Sequence, residues 1–379
     1  MTSSETIYRA RKVWRDGGAL LDDGAVHCRN GRIVAVSPWS RLEAPSDAEA
    51  IDLGDVLLLP GLVNAHTHLR LTHLKGKIPP SEDFVGWLSR IAVGTKLTRA
   101  STLEGSIKTG LRELIANGIT TAVEIDVDEM SAGTVGHAPV RLVLAHECIG
   151  LNSAKAQQRA DEFFGRLAKL PCRPYFREHG AAPHAPYSIC PELWQAMARH
   201  LQESPRFLTI HIAESVEEQE MVAEAKGALY RSLRLFGLLP SDWNPPGSTP
   251  VEYLENTGIL QTPGLAVHCG QATDSDAERL ARHGWTVAFC PGTHEYFQRM
   301  PWPLDRFRRA GVPVCIATDS AASNTGLSMI DEMQRFARMF PTLDVAEIVE
   351  AATTIPARAI GWGEAVGRIE PGYFADLSA

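Results

Sequence analysis

The chain has 379 residues, 44% of them apolar and 22% charged, with a formal charge of −8. These are ordinary globular values, which exclude a disordered or low-complexity chain. The mild acidic excess gives no support to a nucleic-acid or anionic-membrane surface. Seven cysteines are dispersed without paired spacing and read as reduced thiols. The first residues lack the apolar core of a leader, and the longest apolar run, 56–59, is too short for a bilayer. A soluble, cytoplasmic protein is expected.

In chain order, 24–28 and 32–36 flank Asn30-Gly31, a strong hairpin turn signal. From residue 56 short apolar runs alternate with amphipathic patterns. Ser101-Thr-Leu-Glu104 reads as a capping box. Leu103, Ile107, Leu111, Leu114 and Ile115 follow at helical spacing, and Asn117-Gly118 ends that helix. Helices at 191–202, 275–283 and 304–310 each lead into a strand. Eight strands are predicted: 56–63, 119–126, 140–147, 180–184, 207–212, 264–268, 285–290 and 312–318. This alternation predicts an α/β fold, a (β/α)8 barrel over 56–365. Two helices near 326–340 and 344–360 follow the last strand, and 366–377 reads as a strand pair. Residues 1–55 and 366–379 are expected to form a small β unit together.

His66-Thr-His68 follows an apolar run, and on an extended strand residues two apart share a face. Two imidazoles there can grip one metal ion. Alone the pair is weak evidence in a chain with 13 histidines. However, His211, His268 and Asp319 close three further predicted strands. Barrel strand ends open onto one face, where such enzymes place their chemistry. His66, His68, His211 and Asp319 are therefore expected to converge. Three imidazoles and a carboxylate suit Zn²⁺ or Fe²⁺.

The segments PGLVNAHTH, HIAE, AVHCG and TDSAASN, in this order, resemble the amidohydrolase superfamily. They resemble most its cytosine, guanine and adenosine-derivative deaminase and chlorohydrolase branch. PHAPYS at 183–188 and FCPGTHEYF at 289–297 are most similar to aminodeoxyfutalosine deaminase-like members. The resemblance implies a distorted barrel with a small β-sandwich built from both termini. It implies a metal-dependent deaminase that attacks an amidine carbon of a purine-type ring and releases ammonia. Chlorohydrolysis and cyclic amide hydrolysis are the alternatives on the same scaffold, and a non-catalytic binding protein is a third. No lysine lies near the fourth strand to bridge two metals, so one ion per chain is expected, Zn²⁺ before Fe²⁺. Asp319 would double as general base. Glu214 would protonate a ring nitrogen; its alternative is a salt bridge on the following helix. His268 would hydrogen-bond the attacking water; its alternative is ligation of a second metal. Homodimers are common in such families, and a homodimer is expected.

The substrate pocket is expected to draw on the loop 73–97, where Phe84 and Trp87 would cover a flat ring. His184 follows the fourth strand at a position where the family contacts substrate. The pair Thr293-His294 stands where many relatives carry Ser-Asn and borders the pocket. Arg70, two residues beyond His68, would share its face, and Arg90 follows Trp87. Either guanidinium would suit a carboxylate on a 5′ substituent of an adenosine-type substrate. Glu124 and Glu147 read as barrel hydrogen-bonding groups. His73, His137, His146 and His179 have no motif support.

Overall fold

The structure is a computed structural model that describes residues 5–43, 45–136, 138–173, 177–241 and 243–379. The N-terminal strands β1 (Glu5–Trp14), β2 (Leu20–Arg29) and β3 (Arg32–Pro38) form an antiparallel meander. Asn30 and Gly31 both take positive φ, 52° and 75°, which makes the tight turn between β2 and β3. Two short strands, β4 (Glu49–Asp52) and β5 (Leu57–Pro60), add parallel to β1. The chain's last strand, Leu377–Ser378, pairs with β5 and completes a six-stranded sheet from both ends. The tail is less regular than expected. Apart from this strand it contributes an isolated bridge from Phe374 to Arg32.

Eight parallel strands follow: β6 (Leu62–Thr67), β7 (Ile119–Asp126), β8 (Arg141–Cys148), β9 (Arg177–Pro183), β10 (Thr209–Ile212), β11 (Leu265–His268), β12 (Thr286–Phe289) and β13 (Val314–Ile316). They form two four-stranded arrays, β6 to β9 and β10 to β13. Parallel bridges Ala181–Leu208 and Thr67–Asp319 join the arrays at both seams and close the ring. The predicted strand 56–63 is thus two elements. Leu57–Pro60 belongs to the terminal sheet, and only Leu62–Thr67 enters the barrel.

Strand alternation sorts the core. Val63, Val123, Ile125, Val143 and Ala145 pack inward, where Ala357 and Trp362 join them. Ala122, Leu142 and Leu144 face outward onto the surrounding helices. The helix α1 (Phe84–Leu97) replaces the loop expected over 73–97. Its signal is visible in retrospect. Asp83 caps it by accepting from the Gly86 amide at 2.8 Å, and Phe84, Trp87, Leu88 and Ile91 fall on one stripe. The helix α2 (Ala100–Ala116) begins one residue before the predicted capping box, and its N-cap residue Arg99 makes no side-chain cap. Its end at Asn117 and Gly118 is as predicted, with Gly118 at φ 71°.

Candidate metal centre and active site

The barrel seam builds the centre. Asn64 is fully buried and donates to Thr318 Oγ1 at 2.8 Å while accepting from the Thr318 amide at 3.1 Å. The Asp319 amide donates to the His66 carbonyl at 3.0 Å. These bonds lay the end of β13 against the end of β6. The β6–β7 register shifts between Asn64 and Thr67, so the two histidines leave strict strand geometry. Leu69, just beyond, is anchored by Glu124, which accepts from its amide at 2.9 Å and from Ser131 Oγ at 2.7 Å.

The side-chain positions follow. His68 Nε2 lies 3.1 Å from His66 Nε2, and His211 Nε2 lies 3.2 Å from His66 Nε2 and 3.4 Å from His68 Nε2. Asp319 Oδ1 is 3.6 and 3.5 Å from the same atoms of His66 and His68. Donors about 2.0–2.1 Å from a tetrahedral ion stand about 3.3 Å apart, so this set fits one. His211 Nδ1 lies 3.0 Å from the His184 carbonyl; donation to that oxygen leaves the Nε2 lone pair for the centre. Burial first, then the neighbouring imidazoles, hold His211 neutral and push His68 down to about 3. Neutral imidazole is the ligating form. Burial alone would raise Asp319, but contact with His66 and the fields of His268 and His68 prevail and hold it far below the carboxylate range. Thr293 Oγ1 donates to Asp319 Oδ2 at 3.0 Å and fixes the carboxylate's second oxygen.

The backbone is left-handed at Ala213 (φ 50°), His268 (75°), Cys269 (52°) and Asp319 (56°). Non-glycine residues held there carry strain of order 1–3 kcal/mol each, which the surroundings must offset. At His268 the geometry shows a purpose. Leu265 and Val267 point into the barrel, so alternation would send His268 outward. Its ring instead stacks on His211 with centroids 5.6 Å apart. Trp302 Nε1 donates to its carbonyl at 2.7 Å. His66, His211 and His268 form a second group with ligand atoms within 4.8 Å of one another, beside the group of His66, His68 and Asp319.

A cavity of about 310 Å³ opens onto these groups. His68, His184, His211, Glu214, His268 and Asp319 line its polar side, and Phe84, Trp87 and Ile125 stand among its apolar walls. His184 Nδ1 lies 2.9 Å from Ser188 Oγ, so Ser188 orients the ring. Arg70 also lines the cavity, though not by sharing an extended face with His68. Residues Leu69–Leu74 are a 3₁₀ turn. Its Nε is buried and unpartnered among the described residues. Arg90 is exposed and lies outside the cavity lining. His294 is buried against Phe289, with Nε2 2.7 Å from the Met300 carbonyl, and it too is outside the lining. Glu147 and Asp128 line the cavity and form no hydrogen bond or ion pair among the described residues; a barrel hydrogen-bonding role suits Glu124 but not Glu147. Arg299, which no motif singles out, pairs with Glu214 at 2.8 Å. A larger open groove of about 690 Å³ adjoins at Asp128 and Glu147 but holds none of the converging ligands.

The chain from 57 to 379 matches the model of the amidohydrolase family. The chain belongs to that family. A 5-methylthioadenosine/S-adenosylhomocysteine deaminase of Desulforudis audaxviator is 31% identical, over 93% of this chain and 80% of its own. The enzyme of that name from Moorella thermoacetica is 30% identical, over 95% and 82%. A zinc-bound adenosine deaminase from Xanthomonas campestris superposes with a TM-score of 0.80 at 26% identity, covering 98% of this chain and 83% of that one. An aminofutalosine deaminase from Helicobacter pylori in complex with methylthio-coformycin shares the fold at a TM-score of 0.85, with 24% identity and coverage of 98% and 91%. Family and relatives make this amidohydrolase a hydrolytic enzyme acting on carbon–nitrogen bonds, with deaminases as its curated relatives. Among the described residues no helix is long and apolar enough to cross a membrane.

The remaining histidines have structural surroundings. His137 lies outside the described residues. His73 is held by Ser106 and the Arg70 carbonyl. His146 faces outward, 2.8 Å from His179 and 3.7 Å from Asp126. Burial, then His179, pushes His146 down to about 3. Between its ordinary value near 6.5 and that point, the unfolded chain takes a proton that the folded chain refuses. Its stabilising contribution is therefore present above pH 6.5 and lost as pH falls. The loss is at most about 1.4 kcal/mol per pH unit. Urea midpoints at pH 7 and pH 5 should fall less in His146→Gln than in wild type; equal falls would contradict the assignment.

Proposed function

We propose that the chain is a metal-dependent deaminase of 5′-modified adenosines. The carrying observation is the convergence of three imidazoles and Asp319 at a cavity that Phe84 and Trp87 also line. One divalent ion, Zn²⁺ before Fe²⁺, would be held by His66, His68, His211 and Asp319. Such an ion acts as a Lewis acid that brings the pKa of water to about 7.

The chain's own residues supply the remaining steps. Asp319 accepts a proton from the attacking water at its carboxylate. Glu214 donates a proton to the ring nitrogen beside the reacting carbon, which makes that carbon electrophilic. His268, stacked on His211, hydrogen-bonds the oxygen that becomes the new substituent. Phe84 and Trp87, with ring centroids 6.4 Å apart and nearly parallel, offer a face for the heterocycle. His184 lines the same cavity beside His211. The exocyclic amine takes the proton held on Asp319 and departs as ammonia, and the second proton of the former water returns to Glu214 as the carbonyl forms.

The substrate's other end meets Arg70, Asp128 and Glu147 in the same cavity. An unpaired guanidinium favours a carboxylate on the 5′ substituent, and the two carboxylates favour hydroxyl or ammonium donors beside it. The curated relatives' names state 5′-modified adenosines, of which S-adenosylhomocysteine carries a carboxylate and an ammonium and 5-methylthioadenosine neither. Arg90 and His294 have no place in this reading. The same reading places the protein in the cytoplasm as a homodimer.

The test is product analysis across adenine, guanine, cytosine, atrazine, 5′-methylthioadenosine and 5′-carboxylated adenosines. Ammonia from the 5′-modified adenosines is expected, and the acid should outrun its neutral amide by kcat/KM until Arg70→Ala erases the difference. Chloride from the triazine with no ammonia from any purine would establish the chlorohydrolase alternative. Equal treatment of acid and amide would remove Arg70 from the pocket's chemistry.

A further inference from the structure

We propose that Arg299 is a positioning residue that pins one oxygen of Glu214 and leaves the other for the substrate. This rests on the reading of Glu214 as the proton donor. Arg299 lies just beyond the helix Pro291–Tyr296 and meets Glu214 across 85 residues of sequence. Its Nη2 donates to Glu214 Oε1 at 2.8 Å. The two side chains are 10% and 8% exposed. A buried guanidinium is tolerated only with a well-formed partner, and Glu214 Oε1 can accept from it both as a carboxylate and when Oε2 carries the proton to be donated.

The guanidinium is itself constrained. It lies over Phe297 with its carbon 4.6 Å from the ring centroid, and 5.5 Å from that of Phe84. A planar, stacked fork loses little freedom on bonding, so it holds a carboxylate better than an ammonium on a flexible stem. The Glu214 backbone is fixed separately. Glu218 accepts from the amides of Ala213 and Glu214 at 3.1 and 2.8 Å. With main chain and Oε1 both tethered, Oε2 is the oxygen that makes no hydrogen bond among the described residues. Glu214 lines the cavity and Arg299 does not, so Arg299 acts through Glu214. Through Phe84 the same guanidinium also touches α1, the cavity's aromatic wall.

The experiment is a double-mutant cycle on the metal-loaded enzyme, with Arg299→Met, Arg299→Lys and Glu214→Gln. Arg299→Met is expected to fold and keep its metal with a lowered melting temperature, lose about 10–100-fold in kcat, and change KM less than about threefold. Arg299→Lys should fall between Arg299→Met and wild type. In the Glu214→Gln background Arg299→Met should cost less than about twofold, because its effect is exerted through Glu214. Additive losses, or native kcat in Arg299→Met beside an inactive Glu214→Gln, would overturn the proposal and leave the deaminase reading intact. Native turnover in Glu214→Gln would instead remove the proton donor from that reading. A crystal structure of Arg299→Met then decides the positioning without any substrate. A displaced Glu214 carboxylate is expected, and an unmoved one overturns the role of Arg299.

Discussion

Glu214→Gln is expected to keep its full metal content and lose about 10²–10⁴-fold in kcat, the usual contribution of a general acid or base. The substitution preserves shape and leaves His66, His68, His211 and Asp319 in place. The amide retains an acceptor for Arg299 Nη2, so the 2.8 Å contact need not break. What it removes is the ability to hand over a proton. The sequence offered a structural alternative, a salt bridge on the helix that follows. Glu214 does form a salt bridge, but to Arg299 in the segment after β12, and it faces the cavity. Near-native turnover in Glu214→Gln, by steady-state ammonia release, would end its part in the mechanism.

The second large effect is on the metal. His66→Ala, His211→Ala and Asp319→Asn should each lose the ion and the activity together, with less than about a tenth of an equivalent left after dialysis. The three Nε2 atoms lie within 3.4 Å of one another, a spacing that suits donors sharing one ion. His268→Ala separates the two geometric groupings. It should keep one equivalent while losing turnover, because His268 belongs to the alternative set with His66 and His211. Mass-spectrometric metal counts decide this. A full equivalent in His211→Ala, or two ions in the native chain, would contradict the ligand set.

Much of the barrel was legible because parallel strands are buried on both faces and appear as short apolar runs between helical repeats. The run at 119–126 is the clearest, matching β7 residue for residue. The strand at 56–63 was misjudged because one apolar run serves two sheets, divided at Gly61. The convergence of His66, His68, His211 and Asp319 is legible because His211 and Asp319 end strands that the pattern locates. How His268 turns inward was not, since a left-handed φ at a histidine leaves no trace in composition. Arg70 was placed by an argument from extended geometry, and it reaches the cavity by a 3₁₀ turn instead. Arg299 and Thr293 act through contacts between distant segments, which periodicity does not encode.

The most direct measurement of the central claim is ammonia release from 5′-methylthioadenosine by protein stripped of metal and then titrated with Zn²⁺. Turnover absent in the stripped protein and restored fully at one equivalent per chain is the predicted result. Turnover that survives stripping, or no ammonia at saturating Zn²⁺ from this or any 5′-modified adenosine, would contradict it.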